Sequence, residues 1–376
     1  MYENIRYLPY ANPPGYPWQG SPKSLYCLLR IGEQRMIRII VEQAWEIRLI
    51  LHLQQSGEWL IRVMEGFSWL GYPQAYLILV AAIYWGLDRR LGLRMAFFLP
   101  LSASLNCILK QAFHAPRPYW VDRRIIPLHA ENGFGMPSGH AQSVVGWLIA
   151  AADLKRSWFW IMSLVIITGV GLSRVFLGVH FPLQVIAGWL AGILVLICFL
   201  RYEHTVIRWF SGIRPAWQLL LSLGFTILIL AAAGIFIAFL DPDDLPAQWV
   251  ENAAKYRTLS ISGLKAYGMA SAAGNAGSLL GVAAGAVLMA RAGAFQTGGA
   301  WWVRSLRILI GISFMILLYA GFQAFSPEDG GGGADPALPL LSAVWRFSGF
   351  LILSFSAIFL IPLILIRLRL LERAGS

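Results

Sequence analysis

The sequence predicts an all-α fold: a polytopic integral membrane bundle of about nine transmembrane helices. Three observations carry this. Hydrophobic residues make up 57% of the 376 positions and charged residues only 13%, whereas soluble domains carry about 25% charged residues. Apolar stretches of about 20 residues, the length that crosses a bilayer, recur along the chain. Nine such stretches take up roughly 180 positions, about half the chain, as the composition requires. The same numbers exclude a soluble fold, a disordered chain, collagen and a disulfide-rich secreted module.

Taken in order, residues 1–34 are rich in Pro, Gly, Tyr and charge and have no apolar core. No signal peptide is expected there, and the first spanning helix directs insertion. Residues 35–66 place apolar side chains at helical spacing, with Arg38, Glu42, Glu46 and Arg48 interrupting the turns. That pattern predicts an amphipathic helix lying on the membrane, with a substrate-gating flap as the alternative. Spanning helices follow at 72–88, 93–112, 139–153, 157–176, 182–200, 216–240, 266–290, 303–324 and 339–366. Glycines at every fourth position, Gly188 and Gly192 and then Gly277, Gly281 and Gly285, predict close helix packing. Gly330 to Gly333 form a loop.

The distribution of Lys and Arg sets the orientation. With the C-terminus in the cytoplasm and the N-terminus outside, the inner loops hold Arg89, Arg90 and Arg94; Lys155 and Arg156; Arg201, Arg208 and Arg214; Arg291, Arg304 and Arg307; and Arg367, Arg369 and Arg373. The outer loops hold Asp241, Asp243, Asp244, Glu251, Glu328, Asp329 and Asp335, with Lys255, Arg257 and Lys265 as exceptions. The basic N-terminal stretch also departs from the pattern. The net charge of +11 and pI near 9.8 therefore reflect cytoplasmic loops rather than nucleic-acid binding. Of three cysteines, Cys107 and Cys198 lie in apolar runs and are expected as buried thiols, and Cys27 lies near the N-terminus. No disulfide framework or zinc spacing is present. No Asn-x-Ser/Thr sequon occurs, which favours a bacterial inner membrane.

One basic group on the outer side needs its own explanation. Lys110 and Arg117-Pro118 stand in KQAFHAPRP, Pro137-Ser138-Gly139-His140 follow, and Ser173-Arg174 precede His180 in SRVFLGVH. Cations beside apolar spans are costly and mark function. An Arg fork suits two phosphate oxygens, and Lys adds a point charge. Ser138 and Gly139 open a predicted helix, whose N–H groups and dipole favour an anion. His140 and His180 supply a nucleophile and a general acid with ordinary pKa values near ~6.5. A metal site is disfavoured, because Asp122 and Glu131 fall at no ligand spacing. Tyr119 and Trp120 read as interfacial anchors, with a leaving-group wall as the alternative. Asn106 either orients Lys110 or packs as a polar helix residue.

The pattern K-x6-R-P, P-S-G-H and S-R-x5-H resembles the signature of the type 2 phosphatidic acid phosphatase superfamily. That superfamily contains membrane lipid phosphatases, glucose-6-phosphatases, soluble bacterial acid phosphatases and vanadium haloperoxidases. The resemblance covers about residues 93–200. It implies a phosphatase without metal or cofactor: Lys110, Arg117 and Arg174 hold the phosphoryl oxygens, and Ser138 and the Gly139 amide complete the cradle. It further implies that His180 forms a phosphohistidine and that His140 protonates the leaving alcohol, then activates water. The usual signature ends His-x3-Asp, whereas here it reads His180-Phe-Pro-Leu-Gln184. Gln184 can accept the same imidazole bond without the charge. Glucose-6-phosphatases are similar in carrying Gln at this point, in about nine helices and in R-P-Y-W after the first cluster.

The resulting expectation is an N-terminal segment (1–66), a catalytic core (67–202) and C-terminal transmembrane helices (203–376). Substrates are phosphate monoesters, lipid phosphates such as phosphatidic acid first. A soluble sugar phosphate is the alternative, and a lipid phosphotransferase a further one. Expected partners are that substrate and membrane lipids, and the active site is expected to face the periplasm.

Overall fold

The computed structural model describes residues 44–240, 245–256, 261–326 and 338–373, with the side chains of 261–263, 266, 338 and 339 left aside. Cys27, Arg38, Glu42, Asp241, Asp243, Asp244, Arg257, Glu328, Asp329, Gly330 to Gly333 and Asp335 lie outside the described residues. From Glu46 onward the chain packs as one compact unit.

The elements are helices α1 (Ala44–Leu53), α2 (Glu58–Trp69), α3 (Pro73–Ala82, continued by a π-turn Ile83–Leu87), α4 (Arg89–Phe113), α5 (Pro118–Val121), α6 (Gly139–Val144), α7 (Trp147–Leu154), α8 (Ser157–Phe176), α9 (Pro182–Ser211), α10 (Pro215–Ala238), α11 (Ala247–Ala254), α12 (Ile261–Arg291), α13 (Trp301–Ala324), α14 (Leu338–Phe355, with a π-turn Ser356–Leu360) and α15 (Ile361–Arg367). Two short strands, β1 (Phe295–Gln296) and β2 (Glu372–Arg373), pair antiparallel. The helix starts are local. Pro73, Pro118, Pro182 and Pro215 each open a helix, where proline's fixed φ and missing N–H carry no penalty. The Asp88 carboxylate accepts from the Arg90 and Leu91 amides at 2.7 and 3.0 Å and caps α4.

Among the described residues, seven helices are long and apolar enough to cross a membrane, or eight if the pair α2 and α3, bent by 57°, is one span. The chain is an integral membrane protein, with several apolar helices of spanning length. The predicted span 139–153 is divided: α6 ends at Val144 and α7 begins at Trp147, with Gly146 between them. The amphipathic region also differs from one interfacial helix. Its described part is two helices, α1 and α2, and Glu46 is fully buried, its carboxylate accepting from the Leu183 amide at 2.9 Å. An apparent interruption of the apolar face is thus a cap on the first turn of α9. Cys107 is buried as expected, but Cys198 is exposed. An apolar run in a membrane helix also has a side turned away from the bundle, and Cys198 is exposed on that side.

Small residues bring the helices together. A Cβ on Gly188 would stand 2.5 Å from the Ser138 carbonyl, and one on Gly192 2.5 Å from the Gln142 carbonyl, so α9 presses directly on α6. In the C-terminal half Gly277 and Gly281 do the same against the carbonyls of Phe347 and Leu351 on α14. One apolar core joins α3, α4, α7 and α9 through Ile83, Met95, Phe98, Ile149 and Val195. Another gathers Tyr84, Trp85, Met315, Ile358 and Leu365. At the far end of α4, Arg94 ties Asp153 and Glu203 together.

Candidate active site

The three predicted clusters fall at one end of the bundle: the C-terminal ends of α4 and α8 and the N-terminal ends of α5, α6 and α9. Arg117, Arg174 and His180 are at most 1% exposed. Cations this enclosed need acceptors, and the loop 125–136 supplies most of them. Arg117 donates through Nε to Gly133 O (2.7 Å), through Nη2 to Asn132 O (3.1 Å) and Phe134 O (3.3 Å), and through Nη1 to Val179 O (3.1 Å). Lys110 Nζ donates to Phe134 O at 2.6 Å. Arg174 donates to the Ser68 hydroxyl on α2.

At the centre is a carboxylate. Glu131 Oε2 lies 3.0 Å from Arg117 Nη1 and 3.7 Å from His180 Nε2. Glu131 Oε1 pairs with Arg174 Nη2 and lies 3.8 Å from His140 Nδ1. Burial pushes the Glu131 carboxyl up, but Arg174 and Arg117 outweigh it and hold the group well below the usual carboxylate range. His180 is pushed down to about 3, first by burial, opposed by Glu131 and reinforced by Arg117 and Lys110. Its resting state is the neutral imidazole.

Gln184 decides which nitrogen of that imidazole is free. It is the third residue of α9, and its Oε1 reaches back to the Phe181 amide (3.3 Å), half of a capping box. Its Nε2 donates to Pro116 O at 2.7 Å. A carbonyl can only accept, so the amide orientation is fixed with Oε1 toward His180 Nδ1, 3.1 Å away. Nδ1 then carries the proton, and Nε2 carries the lone pair, 3.4 Å from the Arg117 Nη1 donor and 3.7 Å from Glu131 Oε2. Gly135 makes room: a Cβ there would stand 2.6 Å from Gln184 Oε1 and 2.8 Å from Pro116 O.

His140 packs edge-on against Tyr72 (4.6 Å between ring centroids), and a Cβ on Gly71 would stand 2.6 Å from its ring. Its Nε2 is buried with no partner among the described residues, as is Arg174 Nε. Ser138 caps α6, its hydroxyl accepting from the Ala141 amide at 3.5 Å, and its own N–H donates to Gln184 O at 2.9 Å. Asn106 donates to Pro137 O (3.2 Å) and Gln142 Oε1 (2.8 Å). It fixes the Pro137–His140 turn rather than Lys110.

The structure thus brings Lys110, Arg117, His140, Arg174, His180 and Gln184 together. Ser138 and Gly139 join them through the α6 turn. Tyr119 and Trp120, expected as interfacial anchors, are both buried inside the protein. Tyr119 Oη donates to the Glu131 carbonyl at 2.8 Å, and α11 with the turn after it covers them, through Asn252 Nδ2 to Trp120 O (2.8 Å) and Tyr256 against the Tyr119 ring. Tyr267 on α12 lies against Gly133. Sequence reasoning weighed Glu131 only as a metal ligand. One signal was at hand: an acidic residue in a loop between two cationic clusters.

Two Arg and one Lys beside a neutral histidine and a second histidine form an arrangement that can hold an anion with several oxygens. Residues 91–208 match the model described as PAP2 superfamily, and residues 273–374 match PAP2 superfamily phosphatase, transmembrane extension. The chain thus carries a PAP2 superfamily domain followed by a PAP2 transmembrane extension. Among characterised relatives, Glucose-6-phosphatase 2 of Homo sapiens is 28% identical over 191 residues, 42% of this chain and 53% of that protein. Undecaprenyl-diphosphatase of Sulfolobus acidocaldarius is 29% identical over 118 residues, 31% of this chain and 57% of that protein. Phosphatidylglycerophosphatase B of Bacillus subtilis is 29% identical over 164 residues, 40% of this chain and 78% of that protein. The chain spans little more than half the length of the first two.

Proposed function

We propose that the protein is a membrane phosphatase that hydrolyses phosphate monoesters through a phosphohistidine on His180, without a metal. One observation carries the reading: His180 Nε2, freed by the Nδ1–Gln184 contact, faces an anion position held by Arg117 and Arg174. The phosphoryl group takes that position. His180 Nε2 attacks phosphorus, the N–P bond forms and the P–O ester bond breaks, while His140 delivers a proton to the leaving alkoxide. Water then loses a proton to His140 and attacks phosphorus. The N–P bond breaks and inorganic phosphate leaves. Lys110, Arg117 and Arg174, with the Ser138–Gly139 turn, stabilise the charge that develops on the equatorial oxygens.

The first substrate class is a lipid phosphate. Relatives named for a polyprenyl diphosphate and for phosphatidylglycerophosphate support it, as does a site at the ends of membrane helices, where a bilayer-borne headgroup arrives. A second reading, a soluble sugar phosphate, is supported by Gln184 in its H-F-P-x-Q setting and by the glucose-6-phosphatase relatives. The proposed setting is a bacterial inner membrane with the site facing the periplasm. The same phosphohistidine passed to an alcohol instead of water would make the protein a transferase.

The test is phosphate release by the full-length protein in mixed micelles with EDTA. Phosphatidic acid, phosphatidylglycerophosphate and glucose 6-phosphate are compared, with His180→Ala as control. Release lost in the variant supports the mechanism, and the rank order chooses the substrate. No release from any of them rejects hydrolysis.

A further inference from the structure

The position assigned above to the phosphoryl group is held by part of the protein itself. Glu131 bridges Arg117 and Arg174, with one oxygen 3.7 Å from the nucleophilic nitrogen of His180 and the other 3.8 Å from His140. Its backbone is pinned: Tyr119 Oη holds the Glu131 carbonyl, and Arg117 holds the carbonyls of Asn132, Gly133 and Phe134. The side chain is 20% exposed, against 1% or less for the two arginines it joins. The side chain thus has a solvent-facing side while its backbone stays held.

We propose that Glu131 is a specificity-determining residue: its carboxylate is an internal anion that a terminal phosphoryl group displaces and a phosphodiester does not. This rests on the phosphate-cradle reading above. The chemistry is a comparison of ligands. A carboxylate offers two oxygens and one charge, and both oxygens are in use. A terminal phosphoryl group offers three oxygens and a charge between about −1.5 and −2. It can therefore replace both guanidinium contacts and also reach donors the carboxylate leaves unserved, Arg174 Nε and the His140 ring. A phosphodiester offers two free oxygens and one charge, like the carboxylate, plus a second bulky substituent, and gains nothing by the exchange. The distinction matters in a bilayer, where phosphodiester headgroups are the commonest anions. A bare cradle of three cations would fill with them.

Binding to a site that is open only part of the time is weakened by the open fraction. Removing the charge of Glu131 should therefore tighten small anions. The full-length protein in detergent would be titrated with inorganic phosphate and with dimethyl phosphate, read by thermal shift and by competition with monoester hydrolysis. Glu131→Gln should bind inorganic phosphate about tenfold more tightly than the unmodified protein. Dimethyl phosphate, inert toward the unmodified protein, should become a competitor. Glu131→Asp, whose carboxylate is one methylene shorter, should fall between, and decides the matter if the Gln variant does not fold. Equal phosphate affinities in all three proteins would overturn the proposal and leave the phosphatase reading standing. No phosphate binding by any of the three would overturn both.

Discussion

His180 Nδ1 lies 3.1 Å from Gln184 Oε1, and Gln184 is held in that orientation by the bond from its Nε2 to the Pro116 carbonyl. The amide supplies without charge the alignment that a carboxylate supplies in the usual signature. It also anchors the loop before Arg117, which a carboxylate could not do.

Gln184→Ala should then lower kcat by about 10²-fold with little change in KM, because the imidazole loses its fixed tautomer. Gln184→Glu should instead lower stability by about 1–3 kcal/mol, since an acceptor would face the Pro116 carbonyl. Steady-state kinetics and a melting curve separate the two. Equal kinetics in Gln184→Ala and the unmodified protein would refute the tautomer argument.

The two histidines should differ in their need for an acid. With p-nitrophenyl phosphate, whose leaving group needs little protonation, His140→Ala should form the phosphoenzyme and accumulate it, while turnover falls by about 10²–10⁴-fold. His180→Ala should form none. Quenching in alkaline detergent, in which the N–P bond survives, and detection of acid-labile bound phosphate distinguish them, and phosphoenzyme in His180→Ala would place the nucleophile elsewhere.

Acid should destabilise the protein through the site. His180 titrates near 6.5 when unfolded and is pushed down to about 3 in the fold, and Glu131 is held well below its unfolded value of 4.5. Both folded values are depressed. The stability the groups contribute is present above their unfolded values and is lost as pH falls toward the folded ones. The melting temperature should fall from about pH 6.5 downward, and His180→Ala should flatten that slope. A melting temperature constant between pH 6.5 and 4 would contradict this.

The two arginines should respond differently to Lys. Arg117 donates to four backbone carbonyls, and Lys cannot reach them all. Arg117→Lys should cost about 2–4 kcal/mol of stability together with activity. Arg174 bonds to the side chains of Ser68 and Glu131, so Arg174→Lys should mainly raise KM. Chemical denaturation beside kinetics checks both. An Arg117→Lys protein as stable as the original would show that the carbonyl contacts add nothing.

Much of this was legible in the sequence. Composition and apolar runs give the membrane bundle, and Lys110, Arg117, His140, Arg174 and His180 fall together as their spacing implies. Helix ends marked by Pro118, Ser138 and Pro182 could be read because capping is local. What escaped depends on tertiary contact. Glu46 looked like an interruption of an apolar face until α9 was placed over it. Tyr119 and Trp120 looked like interfacial aromatics, because no local pattern announces that α11 covers them. Glu131 has no periodic neighbours, and only the folded loop shows where its side chain goes. The division of 139–153 follows from a glycine and a turn too short to break the apolar run.

The contacts of Asn252 with Trp120, Tyr256 with Tyr119 and Tyr267 with Gly133 tie the second half of the chain to the loop that carries Glu131. The first family segment, 91–208, is therefore held by residues that precede the second, 273–374, and is not a free-standing cassette. A core transplanted from a shorter relative would arrive with the wrong neighbours for its Arg117 turn, and substitutions at 119, 120 and 133 should drift together with those at 252, 256 and 267. The later part of the chain then shapes the candidate site as well as the membrane-spanning bundle.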